Sequence, residues 1–303
     1  MVYHLIESEV KEVETRSLRL QIDDSLRGWS YDKEPVHPPY SALISVSDVA
    51  GRYCPCGGQL YLTKVEHKEV PLPKEVKYGS IYHDVIVKVV EEAKKFLYNT
   101  GAVHGSELYD YLSNASAGFL NMIISDYVVK DDDKSWLLRN SRKLWLFEAM
   151  NISANLNNIM AKRRFPSLDS LVKEVIPFTV EYIVDGSRIG LSENLRVDAL
   201  STPPIVFDLK TGEPRNFHRL YTTGYALALE STTGHPVNVG CIVYVRFRED
   251  VPVPIIRKDL HVIDETLRMM FLEERDRRMR IVVEGLDPRG GPECMQSCPF
   301  REF

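Results

Sequence analysis

The chain has 303 residues, of which 44% are hydrophobic and 27% are charged, and its formal net charge is −5. This composition is typical of a soluble globular protein with an ample core, and no apolar run is long enough to span a membrane. The charged N-terminal segment lacks the apolar stretch of a signal peptide, so we expect a cytoplasmic protein. The acidic balance excludes indiscriminate polyanion binding, so any nucleic-acid site needs a local patch or bound metal ions.

Residues 1–75 are predicted to be irregular, with short helical segments, and the chain from 74 to about 162 is predicted to be helical because apolar residues recur there at helical spacing. The predicted helices cover 3–20, 46–53, Lys74 to about Asn99, about 105–128 and 134–162. The charged run at 130–134 between the last two is interpreted as a solvated loop.

After Pro166 the pattern changes to short strands interleaved with helices. The predicted strands cover 175–184, 196–202, 205–209, 237–248 and 253–261, and the predicted helices cover 217–230 and 263–283. The expected inner residues of the last helix are Leu267, Met270, Phe271 and Met279. The predicted fold class is α/β, with a mixed central β-sheet flanked by helices and a helical insertion.

The same patterns divide the chain into four parts. They are an N-terminal segment at 1–75, a core at 76–100 and 166–285, a helical insertion at 101–165, and a C-terminal segment at 286–303.

Four of the five cysteines form two close pairs, one in each end segment. Cys54 and Cys56 flank a proline and precede two glycines, and Cys294 and Cys298 form the second pair. Without a secretion signal, such pairs are typical of thiolate metal ligands, while disulfides of a hyperthermophilic protein are the alternative. Cys241 lies alone in an apolar run and is interpreted as a buried hydrophobic residue.

The pattern Asp-x(9)-Asp-x-Lys carries the most specific chemistry. Asp198 and Asp208 fall on adjacent strands of one predicted hairpin, and Lys210 shares a strand face with Asp208. Two carboxylates on one sheet face repel each other, and a divalent cation with oxygen ligands relieves that repulsion. A nearby lysine can orient water and stabilise charge on a phosphate. The pattern predicts a metal-dependent phosphodiesterase site, with a surface salt-bridge network as the alternative.

Two predicted helices contribute residues at matching positions. His83 follows Gly79 by about one helical turn, with a structural histidine as the alternative interpretation. Tyr221 and Tyr225 share one face of the helix predicted at 217–230, with a buried aromatic stripe as the alternative.

Taken in chain order, these motifs resemble those of the RecB-type nucleases of the PD-(D/E)xK superfamily. That order is a helix with Gly-x-x-x-His, then Gly followed by Arg-x-Asp, then an acidic residue followed by x-Lys, then a helix with Gln-x-x-x-Tyr. With the flanking cysteines, the chain is most similar to the CRISPR-associated RecB-type nucleases, the Cas-four family, and especially its longer archaeal Csa-one branch. The resemblance covers about residues 50–60, 76–99, 175–250 and 286–300.

The resemblance implies an exonuclease that hydrolyses single-stranded DNA ends during CRISPR spacer acquisition, beside the CRISPR integrase proteins. The implied ligands of Mg²⁺ or Mn²⁺ are His83, Asp198, Asp208 and the Leu209 carbonyl. The implied catalytic residues are Asp198, Asp208, Lys210 and Tyr225. The implied DNA contacts are Arg196, Arg219 and Tyr221. The implied iron–sulfur ligands are Cys54, Cys56, Cys294 and Cys298, with a 4Fe–4S cluster favoured over a 2Fe–2S cluster and over zinc.

The chain departs from the family pattern at three points. Asp208 stands where relatives often have glutamate, and Tyr221 replaces the family glutamine, which removes an amide contact. The cysteines are arranged two and two, whereas the common layout is one and three. The alternatives are a non-catalytic DNA-binding or scaffold subunit of the CRISPR adaptation complex, and a zinc-stapled α/β protein without nuclease activity.

Basic and aromatic residues outside these motifs are further candidates for DNA contacts. The basic groups are 162–164, Arg215 with Arg219, and 275–280, for which a solvated helix face is the alternative. The candidates for stacking on single-stranded bases are Tyr53, Tyr78, Trp136 and Trp145, for which core packing is the alternative.

Overall fold

The computed structural model describes all residues except 6, 20, 52, 71, 72, 102, 163–166, 295–297, 299, 302 and 303. The helices of this described part are α1 (Glu7–Arg19), α2 (Val46–Ala50), α3 (Gly58–Lys64), α4 (Lys74–Thr100), α5 (Gly105–Ser125), α6 (Asp131–Lys162), α7 (Leu168–Val175), α8 (Arg219–Thr233) and α9 (Glu265–Glu284). The strands are β1 (Phe178–Val184), β2 (Leu195–Ser201), β3 (Ile205–Lys210), β4 (Val239–Arg246) and β5 (Ile255–Val262). Short 3-10 turns include Asn216–His218, just before α8.

The five strands form one mixed sheet in the order β1-β2-β3-β4-β5. Strands β3 and β4 are parallel, and every other neighbouring pair is antiparallel. A parallel pair needs a crossover connection, and α8 supplies it between β3 and β4. The predicted α/β class with a mixed sheet flanked by helices is confirmed.

The sheet separates two hydrophobic cores. The first core contains the apolar faces of α4, α5 and α6 together with one face of the sheet, and Trp145 lies fully buried in it. The second core contains apolar residues of α2, α8 and α9 on the other face. The Trp145 indole donates a hydrogen bond to the Leu112 carbonyl at 2.8 Å, so core packing, the alternative to stacking on DNA bases, is confirmed for Trp145. The division into four parts stays a prediction.

Two local predictions are wrong for identifiable reasons. Helix α6 begins at Asp131, inside the predicted loop, and carries Asp131, Asp132 and Asp133 in its first turn. Carboxylates are stabilised there by the helix dipole, so this acidic run favours a helix start over a loop. Strand β1 begins only at Phe178, because α7 occupies the chain up to Val175.

Helix α9 buries arginines in addition to the apolar residues that were expected to face inward. Phe271 and Met279 are buried as predicted, but Met270 is 41% exposed. Arg275 is fully buried, and its guanidinium donates to the carbonyls of Val36 and Ile189 at 2.7 and 3.1 Å. The run at 275–280 is therefore not a continuous basic surface. Among the described residues, no helix is long and apolar enough to cross a membrane.

Candidate active site

Helix α4 approaches the end of strand β3 and brings a histidine to the sheet. A Cβ atom at Gly79 would lie 3.2 Å from the Thr211 hydroxyl, so glycine permits this close approach of helix and strand. His83 follows one turn later on the same helix and faces the sheet, where it contacts residues of β1 and β2. Arg163 and Arg164 of the predicted basic group lie outside the described residues.

In strands β1 and β2, the apolar side chains change from one face of the sheet to the other at Glu181 and Asp198. The antiparallel register that pairs Val180 with Ala199 is the same on both sides of Glu181. Glu181 and Asp198, which this register places opposite each other, do not form a ladder pair. Glu181 adopts a left-handed backbone conformation there, with φ of 51°. Ala199 packs in the first core and Val197 in the second, although residues two apart on a regular strand share a face. The interruption therefore turns both strands at the two carboxylates.

Three potential ligand groups converge at this interruption. One nitrogen or oxygen atom from each of His83, Glu181 and Asp198 lies within 4.8 Å of the others. The His83 Nε2 atom lies 2.5 Å from Glu181 Oε1, and its Nδ1 atom lies 3.8 Å from Asp198 Oδ1. Burial opposes a charge on His83, but Asp198 and Glu181 outweigh it and raise its pKa to about 9. The hydrogen bond from His83 lowers the pKa of Glu181.

Asp198 also replaces part of the backbone ladder between β2 and β3. The last ladder pair before the site is Ala199 with Phe207. Two residues after Phe207, the backbone amide of Leu209 donates a hydrogen bond to Asp198 Oδ2 at 2.6 Å. The carboxylate is thereby fixed at the point where the two strands diverge. The predicted role of the Leu209 carbonyl as a metal ligand stays a prediction.

Asp208 and Lys210 form a buried ion pair beside the three ligands. The Lys210 ammonium lies 3.0 and 2.7 Å from the two Asp208 carboxylate oxygens. Burial raises the pKa of Asp208 to about 7 although Lys210 opposes this, and the repulsion from Asp198 adds to the rise. Asp208 Oδ2 is buried and makes no hydrogen bond of normal geometry. Asp208 lies outside the group of three within 4.8 Å, so its part in metal binding stays a prediction.

Two tyrosines of α8 face the same centre. The Lys210 ammonium lies 3.6 Å from the centroid of the Tyr221 ring. Burial raises the pKa of Tyr225, and the negative charges of Asp198 and Asp208 raise it further. Both tyrosines therefore keep their hydroxyl protons at neutral pH. The structure brings Tyr221 and Tyr225 to the site, as their shared helix face predicted.

Two of the predicted DNA contacts form ion pairs with acidic groups. Arg196 lies 3.2 Å from the second carboxylate oxygen of Glu181 and is mostly exposed. Arg219 binds Asp259 through two hydrogen bonds of 2.8 and 2.7 Å. Arg196 therefore borders the site, while Arg219 is held at the β5 side of the sheet. Their roles in DNA binding stay predictions.

Two site residues were not predicted. Glu181 lies in an exposed-looking stretch of β1, and only the strand pairing shows that it faces Asp198. Tyr3 is buried, its hydroxyl lies 3.5 Å from His83 Nδ1, and its ring packs against Phe178 and Phe207. A residue so far from the motifs gives no signal in the sequence. The pairing of predicted strands 175–184 and 196–202 as a hairpin would have pointed to Glu181.

The four paired cysteines come together away from this centre. They are buried, free of disulfides, and packed in one cluster with Leu62 and Phe300. The Cys54 and Cys56 sulfurs lie 3.8 Å apart. Burial raises the pKa of the Cys56 and Cys298 thiols, and the neighbouring Cys54 and Cys294 thiols raise both further, so the two ends of the chain meet here. Cys241 is buried in the first core, as expected.

Helix α9 holds the first cysteine loop. The Arg278 guanidinium donates to the carbonyls of Cys54 and Pro55 at 3.1 and 3.2 Å, and Arg277 donates to the Pro55 carbonyl at 2.7 Å. Glu274 binds both guanidiniums, at 2.6 Å each. The two arginines place positive charge beside a loop that carries two thiols.

A hydrogen-bonded chain links the cysteine loop to the carboxylate site. The Tyr53 hydroxyl lies 2.7 Å from His218 Nε2, and His218 Nδ1 lies 3.0 Å from the Tyr244 hydroxyl. Tyr53 directly precedes Cys54, and Tyr244 pairs with Lys210 across strands β3 and β4. Tyr53 therefore has a structural partner, although its ring is 55% exposed.

Comparison with known proteins gives one family and two curated relatives. The family model described as "CRISPR-associated exonuclease Csa1" matches residues 1–303. The protein named "CRISPR-associated exonuclease Csa1" from Saccharolobus solfataricus is 31% identical over 286 residues, which cover 94% of this chain and 93% of the relative. The protein of the same name from Thermoproteus tenax is 28% identical over 280 residues, which cover 92% and 90%. No solved structure matches significantly.

Proposed function

Since the chain belongs to the Csa1 family of CRISPR-associated exonucleases, we propose that it is a metal-dependent exonuclease that hydrolyses phosphodiester bonds in DNA. The observation that carries this proposal is the convergence of His83, Glu181 and Asp198 within 4.8 Å, beside the buried pair of Asp208 and Lys210. This arrangement also supports the resemblance to PD-(D/E)xK nucleases, because it joins the acidic and lysine motifs on neighbouring strands.

The donor set fits Mg²⁺ or Mn²⁺. Carboxylate oxygens suit both ions, and an imidazole nitrogen suits Mn²⁺ better than Mg²⁺. Asp208 Oδ2, whose partner is the Lys210 ammonium at 2.7 Å, offers a further carboxylate oxygen beside the group of three. A bound ion supplies Lewis-acid polarisation of the phosphate and a more acidic water. We assign His83, Glu181, Asp198 and Asp208 to hold it.

The side chains around the ion divide the remaining work. Lys210 is buried with its pKa raised by Asp208, so its ammonium stays charged and can stabilise the charge that develops on the phosphate. The Asp198 carboxylate is held by the Leu209 amide and so keeps its position when charges in the site change. Tyr225 keeps its proton and can donate a hydrogen bond to a phosphate oxygen.

The four cysteines fit a metal centre with thiolate ligands. Buried thiols that meet without forming a disulfide are suited to a metal, and the backbone amide of Gln59 donates to the Cys54 sulfur at 3.4 Å. We propose an iron–sulfur cluster, with 4Fe–4S favoured by the family resemblance. The 3.8 Å separation of Cys54 and Cys56 specifically favours a second candidate. Two thiolates about 2.3 Å from one tetrahedral metal ion lie roughly 3.8 Å apart, as in a zinc site.

The visible spectrum separates these two candidates. Purified protein with an iron–sulfur cluster is brown and absorbs broadly between about 320 and 450 nm, whereas zinc leaves the spectrum empty. Metal analysis of the same sample gives iron or zinc per chain. A colourless protein with one zinc per chain and no iron would overturn the cluster proposal without affecting the nuclease proposal.

We extend the proposal to substrate and partners on the family's association with CRISPR. The substrate is the end of a single DNA strand, and the process is the capture of new spacers beside the CRISPR integrase proteins. The names of the two relatives support an exonuclease linked to CRISPR. The alternative, a scaffold subunit that binds DNA without cutting it, is an outcome of the experiment below.

The decisive experiment is a Mn²⁺-dependent digestion of end-labelled single-stranded DNA. Lys210→Ala should lower the cleavage rate by about 100-fold or more, because it removes a charge that stabilises the transition state. Lys95→Ala is the matched control, since Lys95 is an exposed lysine on the distal half of α4. DNA binding without cleavage by the wild-type protein would favour the scaffold alternative. Equal rates for wild type and Lys210→Ala would overturn the site.

A further inference from the structure

A groove of about 350 Å³ opens between α6 and the chain that follows β4. Its lining includes Trp136, Arg139, Asn140, Lys143, Phe247 and Arg248. We propose that this groove holds one nucleotide of the single DNA strand, with the base between its aromatic and amide groups and the phosphate at its basic groups. The inference rests on the proposed nuclease function and assigns a substrate subsite to it.

The groove lies at the end of the sheet that carries the active site. Strands β3 and β4 are parallel, and Lys210 pairs with Tyr244, so both strands end at the same edge. Phe247 follows three residues after Tyr244, and its ring packs on Tyr82 at a centroid distance of 4.6 Å. Tyr82 directly precedes His83 in α4. A strand held in the active site can therefore continue into the groove.

The groove contains a buried amide that makes no hydrogen bond of normal geometry. Asn140 lines the groove and is only 5% exposed, and this holds for its Nδ2 atom. The buried Tyr82 hydroxyl adjoins the Asn140 amide, but the two groups are not aligned as a well-formed hydrogen bond. A buried donor without an acceptor is unfavourable, and native structures rarely leave one unless water or a ligand completes it. A base edge, with its carbonyl and ring-nitrogen acceptors, offers what the Asn140 amide lacks.

The charges at the rim favour an anion. Arg139 is exposed and forms no ion pair with any residue in the described part of the chain. The Lys143 ammonium donates to two backbone carbonyls, those of Arg248 and Val251, which leave its charge uncompensated. Arg248 is already neutralised by Asp250. Glu249 also lines the groove and contributes one negative charge, so Arg139 and Lys143 leave the lining with a net positive charge for a phosphate.

The aromatic wall suits a base. Trp136 is half-buried, and its ring lies 5.9 Å from that of Tyr78 at an angle of 41°. One side of the indole is thus supported by the protein. Bases of any sequence stack on such rings, so this subsite would hold the strand without reading it. The basic, amide and aromatic side chains of the groove together match a nucleotide better than they match a peptide or a lipid.

The test measures the affinity of fluorescein-labelled single-stranded DNA in a Lys210→Ala background, where the probe is not cut. Arg139→Ala and Asn140→Leu should each raise Kd by about 5- to 10-fold. Arg139→Ala should also reduce the slope of log Kd against log salt concentration by about 0.7, because one phosphate contact is lost. Arg142→Ala is the matched control, since Arg142 is an exposed arginine on the same helix outside the groove lining.

Trp136 fluorescence gives an independent readout. The probe should quench part of the protein emission, and Trp136→Phe should remove that part while the ring that stacks on the base is retained. Arg139 is exposed, so its variant tests the groove even if Asn140→Leu folds poorly. Affinity and quenching that match the parent protein in all three groove variants would overturn the inference. The dependence of cleavage on Lys210 is measured separately, so the proposed nuclease function would stand in that case.

Discussion

The Lys210 ammonium lies 3.6 Å from the centroid of the Tyr221 ring and 2.7 Å from the nearer Asp208 oxygen. A tyrosine therefore stands where the family resemblance leads one to expect a glutamine, and it contacts the lysine through its ring face. The replacement changes an amide contact into a cation–π contact and keeps the position close to the lysine.

Two substitutions of Tyr221 distinguish the contribution of its ring from that of its hydroxyl group. Tyr221→Phe keeps the ring face under Lys210, so we expect kcat within about 2-fold of wild type. Tyr221→Leu removes the cation–π contact, worth roughly 0.5 to 2 kcal/mol, and should lower kcat by about 3- to 30-fold with little change in KM. Steady-state cleavage of end-labelled DNA checks both values. Equal kcat for the Phe and Leu variants would show that the ring does not support the lysine.

Glu181 should contribute directly to metal affinity. Glu181→Gln removes one anionic oxygen from the group of three, and Mn²⁺ should bind at least about 10-fold more weakly. Titration calorimetry or the electron paramagnetic resonance signal of free Mn²⁺ measures this. Glu193→Gln is the control, because Glu193 is exposed and lies between the two strands of the hairpin. If both variants bind Mn²⁺ like wild type, Glu181 is a partner of His83 and Arg196 only.

The cysteine set predicts which thiols hold the second metal. Cys54→Ala, Cys56→Ala, Cys294→Ala and Cys298→Ala should each lower metal content and melting temperature together, because a four-thiolate site loses one ligand. Cys241→Ala is the matched control, since Cys241 is buried in the first core and should show only a small packing loss. Metal analysis and thermal unfolding give both readouts. Unchanged metal in Cys294→Ala with a loss in Cys241→Ala would contradict the ligand set.

A buried ion network fastens α8 to α9. Arg268 and Glu230 are fully buried, their charged atoms lie 2.7 Å apart, and Arg27 lies 2.8 Å from the same carboxylate. Glu230→Gln leaves two buried guanidiniums without an anion, so the free energy of unfolding should fall by about 3 to 5 kcal/mol. Glu12→Gln, which breaks an exposed pair with Arg16, should cost less than about 1 kcal/mol. Urea unfolding measures both losses, and comparable values for the two variants would contradict this prediction.

His218 should make stability depend on pH. Burial lowers its pKa to about 4, and the charges of Lys210 and Arg215 act in the same direction. Between about pH 6.5 and pH 4 the unfolded chain binds more protons at this residue than the folded protein, so stability falls as pH falls. From pH 7 to pH 5 the loss is about 2 kcal/mol, at roughly 1.4 kcal/mol per pKa unit.

His218→Gln isolates this contribution. Glutamine can still hydrogen-bond to Tyr53 and Tyr244 but does not titrate, so the variant should lack about 2 kcal/mol of the wild-type loss between pH 7 and pH 5. Chemical unfolding at both pH values gives the comparison. Parallel losses in the two proteins would show that His218 titrates in the folded protein with the same pKa as in the unfolded chain.

The parts of the fold predicted from sequence are those with local patterns. Helix α4 and strand β3 follow from apolar spacing, and the approach of Asp198 to Asp208 follows from a short hairpin. Glu181 could not be assigned in the same way, because its approach to Asp198 needs both the β1–β2 register and a left-handed backbone conformation. Nothing in the side chains around Glu181 marks that conformation.

The arginines of α9 show a second limit. A helix rich in arginine and glutamate is usually a solvated face, and the interpretation of 275–280 as a basic surface followed from that rule. Arg268 and Arg275 are buried because their acceptors, Glu230 and the carbonyls of Val36 and Ile189, come from distant parts of the chain. Such long-range pairing is invisible to any pattern within one helix.

The exchange of faces at Glu181 and Asp198 also constrains how this sequence can vary in length. The apolar side chains of β1 change cores at Glu181: Val180, before it, packs in the first core, and Val184, after it, packs in the second. Because the register is the same on both sides of Glu181, removing one residue of β1 would shift one half of the strand against β2 and separate Glu181 from Asp198. A change of length should therefore be tolerated in the connection between β1 and β2 but not within the paired part of either strand.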